Sequence, residues 1–365
     1  MRRAIVTVAA AATLIGAAPA ALGQTTTPDP ATTAPTAPVA PVAPPTHPAA
    51  ATGWGAFAAP AGALRPAPDP GVPPSGTVAS ARIAGRATGV ARDASGAVWV
   101  RLAFPGAVAG WAPGDAIRAV PPPAALSPGA VRTLTGATAS LGPRAALVVR
   151  DPWGRTVFAA GTPRPLMLAS VTKLATVSAA LSADPSLPVG PVAAILRPSD
   201  NAKAQALSNV LGSGSRTLGA RRAADHAAAL GAAWQVVDGS GLSRGNRAPA
   251  GEVADLLLGI RDEPAFRTLF RGLPVAGRTG TLEWRMRGTS AAGRVRAKTG
   301  TYDVWRASSL AGYFWPAGAG LGPERAFVVV SLENGVPPYR ARPVQDAVAA
   351  ALTARGALTP AATGG

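Results

Sequence analysis

The sequence predicts an α+β domain, one antiparallel sheet with a helical cluster beside it, preceded by a small all-β module. Three observations lead there. From about residue 136 onward, strand-like runs give way to helical runs, then to strands again and a last helix. Residues 53–120 are instead cut into short strand-like pieces by Gly and Pro. The chain has 365 residues, 48% of them hydrophobic. That is enough for one enzyme-sized domain and one small one, once tails that cannot pack are discounted.

Residues 1–23 read as a secretory signal peptide. Arg2 and Arg3 give the charged start, residues 4–20 the apolar run, and Ala21-Leu22-Gly23 a small-x-small cleavage site. A membrane anchor is the competing reading. The run falls short of the ~18 apolar residues a span needs, and Gly16 and Pro19 interrupt its end. Cleavage is therefore expected, with the mature protein in the periplasm or cell wall. Residues 24–52 are Thr, Pro and Ala with almost no side chain large enough to pack, so a disordered spacer leaning to polyproline II is expected.

Within residues 53–120, Asp93-Ala94-Ser95-Gly96 reads as a hairpin turn. The alternation that follows puts Val98, Val100 and Leu102 on one strand face. With the opening Ala63-Leu64-Arg65-Pro66 and the closing Gly110-Trp111-Ala112-Pro113, the segment resembles a bacterial SH3-like module. That resemblance implies a wall- or peptide-binding role. A barrel that merely spaces the next domain from the wall is the plainer alternative. Pro121-Pro122-Pro123 opens a second linker, read over 121–135, and the main domain is expected over 136–356, with a disordered tail at 357–365. In that domain, strands are expected at 145–150 and 156–159 around the turn Asp151-Pro152-Trp153-Gly154, and near Val295 and at 327–332. The last helix is expected at about 343–352 with Pro343 in its first turn.

Composition narrows the chemistry. Cys is absent, which excludes disulfides, thiol nucleophiles, Cys-ligated zinc and a lipidated N-terminal Cys. There are two histidines, His47 in the Pro-rich tail and His226 in an Ala-rich helical stretch, so a Ser-His-Asp triad would have to rest on His226. The formal net charge is +17, mostly Arg in excess, and two of those charges lie in the signal. The plain reading is a composition that writes Arg wherever a solvated cation will do. An exported cationic protein is nonetheless drawn to anionic cell-wall polymers. No basic helix or aromatic-interleaved surface points to nucleic acid.

Three short motifs carry chemistry. Ser170-Val171-Thr172-Lys173 opens a helical pattern with Leu174, Val177 and Leu181 on one face, so hydroxyl and amine meet at i and i+3. Ser199-Asp200-Asn201 precedes another helix, and Lys298-Thr299-Gly300-Thr301 ends a strand-like run. Each alone fits a cap or a turn. In the order S-x-x-K, S-x-N, K-T-G they resemble the penicillin-recognising serine enzymes, whose catalytic domain has the β-lactamase/transpeptidase-like fold. Val237-Asp238-Gly239-Ser240-Gly241-Leu242-Ser243-Arg244, residues 277–282 and Leu310-Ala311-Gly312-Tyr313 sharpen the likeness to D-Ala-D-Ala carboxypeptidases of the penicillin-binding protein 4 type.

The resemblance implies an acyl-enzyme mechanism on peptidoglycan stem peptides, with β-lactams as covalent inhibitors and no metal or cofactor. Ser170 would be the nucleophile and Lys173 its base. Ser199 would relay a proton to the leaving amine, helped by Lys298, and Asn201 would hold the substrate amide. Thr299 and Thr301 would bind the terminal carboxylate beside Gly300, with backbone N–H groups of Ser170 and Thr301 as the oxyanion hole. The Asp238 segment is expected to brace the cleft floor. Two departures stand out. Ser199 follows Ser170 by only 29 positions, where the family usually carries large insertions. Thr279, in the K-T-G mimic Gly277-Arg278-Thr279-Gly280-Thr281, stands where the family commonly has Asp. Two alternatives stay open. One is a serine β-lactamase using Glu252, Glu263 or Glu283 for deacylation. The other is a non-catalytic wall-binding protein with a vestigial peptidase fold.

Overall fold

In the computed structural model, the described residues are 56–58, 64–74, 85–104, 109–119 and 125–359. The signal peptide, the spacer with His47, the Pro121-Pro122-Pro123 run and the last residues of the tail lie outside them.

The first strands are β1 (Ala56–Ala58), β2 (Gly85–Arg92), β3 (Val98–Ala103), β4 (Ala109–Pro113) and β5 (Arg118–Ala119). They form one antiparallel sheet in the order β4-β3-β2-β1-β5. The Asp93 carboxylate shapes the β2–β3 turn by accepting from the backbone N–H of Ser95 and Ala97. Its other oxygen takes the Trp99 indole N–H at 2.9 Å. The expected face of Val100 and Leu102 is the core face, and the strand is buried on its other face as well, at Trp99. Trp99 is buried and Val98 exposed, while Val100 and Leu102 pack with Leu64, Ala87, Phe104 and Ala112 in a small core.

The main domain begins earlier than the expected linker end. Helix α1 (Pro128–Ser140) is capped by the Ser127 hydroxyl and buries Ala130 and Leu134. The 357–365 tail is also partly built in. Ser127 N–H donates to Ala357 O, Thr359 N–H donates to Ala125 O, and Leu126 bridges Leu358. An apolar residue in each run supplies what composition alone did not signal, a place to bury.

After α1 come β6 (Ala145–Arg150), β7 (Thr156–Gly161) and the short β8 (Leu166–Met167). Four helices follow: α2 (Lys173–Ala183), α3 (Val189–Leu196), α4 (Asn201–Leu211) and α5 (Arg216–Ala229). The short β9 (Arg247–Ala248) pairs with β8, and α6 (Ala250–Gly259) and α7 (Phe266–Gly272) come next. Strands β10 (Val295–Tyr302), β11 (Ala307–Phe314) and β12 (Phe327–Asn334) and helix α8 (Pro338–Thr353) close the domain. The sheet order is β10-β11-β12-β6-β7, antiparallel throughout.

Both faces of this sheet are covered, one more layer than the sequence predicts. Val328, Val330 and Leu332 of β12 face the cluster of α2, α3, α5, α6 and α7. The alternate Phe327 and Val329 face α1 and α8. Helix α8 starts five residues before the expected 343, with Pro338 in the first turn and Pro343 inside it. A proline there removes one helix hydrogen bond. Burial of Ala341, Gln345, Val348, Ala349 and Leu352 outweighs that loss. No helix among the described residues is long and apolar enough to cross a membrane.

Candidate active site

Ser170 sits in a single 3-10 turn, Ala169–Thr172, that runs into α2. The helix has no exposed face over its first nine residues. Every side chain from Lys173 to Leu181 is buried, so it is the central helix of the domain rather than an amphipathic one. The turn is held in a conformation that L-residues seldom adopt, with Ala169 at φ +48°. Ser199 has φ +62°. Such strain costs of order 1–3 kcal/mol per residue and persists only where surrounding structure enforces it.

Lys173 is fully buried, yet its ammonium has three acceptors. They are Ser170 Oγ at 2.9 Å, Asn201 Oδ1 at 2.7 Å and the carbonyl of Ser240. Burial pushes its pKa from the usual 10.5 to about 8, while the charges of Asp238 and Asp200 act the other way. Lys298 is the counterpart on β10. Its Nζ lies 2.9 Å from Ser199 Oγ and 2.7 Å from Thr299 O. Burial, then repulsion by Lys173, holds its pKa well below the usual lysine range. The two serine–lysine pairs thus adjoin, joined through the Ser199-Asp200-Asn201 turn. Asp200 caps α4 by accepting the Lys203 N–H at 2.9 Å, which aims Asn201 inward.

Strand β10 is the edge of the sheet. The Val275 segment covers its first half, where Ala297 N–H donates to Pro274 O at 3.1 Å. By the alternation of an antiparallel edge, the backbone groups of Thr299 and Thr301 point to the same outer side. Gly300 has a packing use. A Cβ there would stand 2.5 Å from Leu168 O and 3.2 Å from Ser170 N, so glycine lets the strand run against the turn that carries Ser170. On the opposite strand face, Thr299 donates to the Thr281 hydroxyl at 2.7 Å, and Thr301 Oγ1 accepts from Arg342 at 3.2 Å.

The Asp238 segment is the buttress. Asp238 is fully buried and accepts from Gly241 N, Ser243 N, the Ser240 hydroxyl and Asn246 Nδ2. Burial raises its pKa, but these bonds outweigh that and leave it below the usual carboxylate range. The loop so fixed offers Ser240 O to Lys173 and packs Gly241 on the Ala169 carbonyl. Tyr302 ties its far side by donating to the carbonyls of Gly241 and Ser243.

All the residues singled out in the sequence, Ser170, Lys173, Ser199, Asn201, Lys298, Thr299, Gly300 and Thr301, fall in this one region. Sequence reasoning missed four others: the Ser240 carbonyl, Thr281, Tyr302 and Arg342. The mimic motif gave a signal, since it contributes Thr281. Its Thr279 accepts the Val275 N–H at 3.0 Å and so shapes the turn. The three glutamates considered for deacylation are engaged elsewhere. Glu252 accepts from Ala233 N, Glu263 faces His226 at 3.6 Å, and Glu283 faces Arg287 at 3.7 Å. His226 of α5 has its pKa lowered by burial, has its Nε2 3.6 Å from Glu263 without a hydrogen bond, and forms no triad with Ser170.

Residues 190–355 match the profile of the D-Ala-D-Ala carboxypeptidase 3 (S13) family. The S13 match takes in Ser199, Asn201 and Lys298 and begins after Ser170 and Lys173. A D-alanyl-D-alanine carboxypeptidase of Actinomadura sp. (strain R39) is 43% identical over 120 residues, 32% of this chain and 21% of the relative. The chain thus spans about a fifth of the length of the curated relative it matches. Among solved structures, penicillin binding protein 4 of Haemophilus influenzae is 24% identical over 43% of this chain and 39% of its own, with a TM-score of 0.37. A class A β-lactamase from Mycobacterium abscessus is 20% identical over 60% of this chain and 96% of its own, with a TM-score of 0.48.

Proposed function

We propose that the S13 domain is a serine-type D-Ala-D-Ala carboxypeptidase, or an endopeptidase of the same chemistry, acting on peptidoglycan stem peptides and acylated by β-lactams. The observation that carries the reading is the buried Lys173, 2.9 Å from Ser170 and with its pKa lowered to about 8. A lysine so placed can take a serine proton near neutrality.

In this reading neutral Lys173 accepts the Ser170 proton as Oγ forms a bond to the carbonyl carbon of the penultimate D-Ala. The oxyanion is received by the backbone N–H groups of Ser170 and Thr301. The C–N bond then breaks. The leaving amine takes the Ser199 hydroxyl proton, and Ser199, held by Lys298 at 2.9 Å, recovers a proton from Lys173, which passes on the one it took from Ser170 and becomes neutral again. Asn201 holds the substrate amide and Thr299 and Thr301 its carboxylate. Neutral again, Lys173 takes a proton from the water that attacks the ester carbonyl, and returns it to Ser170 Oγ as the ester C–O bond breaks. The cationic surface and the sheet over 56–119, read as an SH3-like module, would hold the exported protein to anionic wall polymers.

The test is covalent labelling of the purified protein by fluorescent penicillin beside Ser170→Ala. Labelling lost in the variant, with release of D-Ala from a D-Ala-D-Ala pentapeptide by the wild type, is the expected result. A folded wild type that never labels and releases no D-Ala would leave a wall-binding protein in its place.

A further inference from the structure

Four arginines from four parts of the chain come together where α3 and β10 lead into the Ser199–Lys298 pair. Arg197 is the C-cap of α3 and Arg271 lies in the last turn of α7. Arg278 follows the Val275 segment, and Arg296 is in β10, two residues before Lys298. Backbone contacts draw them close. Val275 bridges Arg296, Arg278 N–H donates to Val275 O at 3.0 Å, and Arg197 O accepts from Thr281 N–H at 2.9 Å. Arg197 Nη2 donates to Arg271 O at 3.1 Å. Arg296 is half-buried, its guanidinium 5.0 Å from the Phe270 ring centre. Burial, then the charges of Arg197, Arg271 and Arg278, hold its pKa below the usual arginine range.

A cation at a helix C-terminus suits the helix dipole, which accounts for Arg197 and Arg271 taken singly. It does not account for four together, because gathered like charges repel. Among the described residues no carboxylate stands at ion-pair distance from any of the four, although Arg150, Arg155, Arg221 and Arg285 each have one. Arg197 Nε is moreover buried with no acceptor. A buried donor left unpaired is costly, and an anion at the cluster would relieve that cost and the repulsion alike. Arg271 and Arg278 are exposed, so the cluster opens to solvent.

The class of anion follows from number and direction. A carboxylate presents two oxygens in one plane, whereas a tetrahedral phosphate accepts from several sides, as arginines arriving from four elements require. One phosphate is too little charge for four arginines, but a chain of phosphodiesters brings a charge with every repeat. Phe270, the ring at the cluster, is buried with its edges against Tyr313 and Trp315, so no open ring face awaits a base.

We propose that Arg197, Arg271, Arg278 and Arg296 form a binding site for a base-free phosphodiester polymer, beside the cleft that works on the peptide. The inference rests on the reading that the exported protein is held by anionic wall polymers, and gives that contact a place and a chemistry.

The experiment titrates the full chain with poly(glycerol phosphate) by calorimetry over a series of salt concentrations. Wild type is set beside Arg271→Gln/Arg278→Gln and a charge-matched control, Arg132→Gln/Arg164→Gln, whose two arginines are exposed and outside the cluster. The cluster variant should bind roughly 10- to 100-fold more weakly, with a slope of log K against log salt shallower by about 1.5. The control should stay within about threefold of wild type, since separated surface charges are screened. Polyglutamate of the same charge should bind wild type at least ~10-fold more weakly than the phosphate polymer, and oligothymidylate no more tightly than it. Free phosphate should compete only at millimolar concentration. Equal losses in the two variants would mean diffuse attraction without a site. Polyglutamate bound as well, oligothymidylate bound better, or displacement by micromolar phosphate would each name another ligand. Any of these overturns the inference. Equal losses with a wild type that still binds would leave the wall-polymer reading standing, whereas a wild type that binds no polyanion defeats both.

Discussion

If Lys173 is the base for Ser170, the rate of acylation must follow the lysine's neutral form. With a pKa of about 8, caused chiefly by burial, roughly a tenth of the molecules carry neutral Lys173 at pH 7. At the ordinary value of 10.5 only about one in 3,000 would, so burial raises the population of active base by about 300-fold. The acceptors at Ser170, Asn201 and Ser240 aim the amine but also favour its charged form, so desolvation must be what wins. Second-order acylation by fluorescent penicillin, measured by stopped reaction from pH 5.5 to 9.5, should climb close to tenfold per pH unit at first and level off near pH 8. Lys173→Arg keeps a cation in place and removes the titration, because a guanidinium stays protonated. It should acylate at least ~10³-fold more slowly, with no limb in the profile. A wild-type profile that is flat across pH 6–8, or one that still rises tenfold per unit at pH 9.5, would refute the assignment. So would Lys173→Arg acylating within tenfold of wild type.

Two further outcomes follow from packing and burial. Gly241 has φ +84°, and a Cβ there would overlap the Ala169 carbonyl and stand 3.0 Å from Ser170 Cα. Gly241→Ala should therefore displace the Ser170 turn and slow acylation on the order of 100-fold, with circular dichroism unchanged; an unaffected rate would sink the buttress role of that loop. Glu333 is wholly buried, and burial raises its pKa from 4.5 to about 7 against the bonds from Ser331 and Gln345. The folded state thus binds the extra proton, and this stabilisation is present below pH 4.5 and lost as pH rises through 7, by up to about 3 kcal/mol. Glu333→Gln should raise the Tm by on the order of 5 °C at pH 8.5 and hardly at all at pH 5; equal shifts at both pH values would count against it.

What the sequence made legible was which residues gather at the candidate site, and what it hid was packing. The motif residues could be read because hydroxyl, amine and amide at fixed spacings have few other reasons to recur in that order. Strand β11 escaped notice because Ala-Ser-Ser-Leu-Ala-Gly-Tyr-Phe has neither alternation nor β-branched residues. It lies in the middle of the sheet with all eight residues buried, and Gly312 sits on Arg296 O and Ala297, where a side chain cannot fit. A strand buried on both faces loses the period of two that exposes others. The burial of Trp99 on the alternate face was not legible either, since its polar partner Asp93 lies in a turn that the alternation does not count. Arg342 could not have been found at all from local pattern. Its relation to Thr301 exists only because α8 folds back along β11, 41 residues away in sequence.

The short Ser170-to-Ser199 interval bears on how such a site holds its shape. Within it α2 is buried along nine consecutive residues and α3 packs Val192, Ile195 and Leu196 into the same core, so the interval is filled by structure that fixes both serines. The remaining support comes from the other side of the site. Asp238 closes its loop with four donors, Ser240 O takes the third hydrogen of Lys173, and Tyr302 clamps the loop to β10. Ala169 and Ser199 can hold strained backbone only because these contacts over-determine them. It follows that added domains between the first two motifs are not needed to orient the reacting groups.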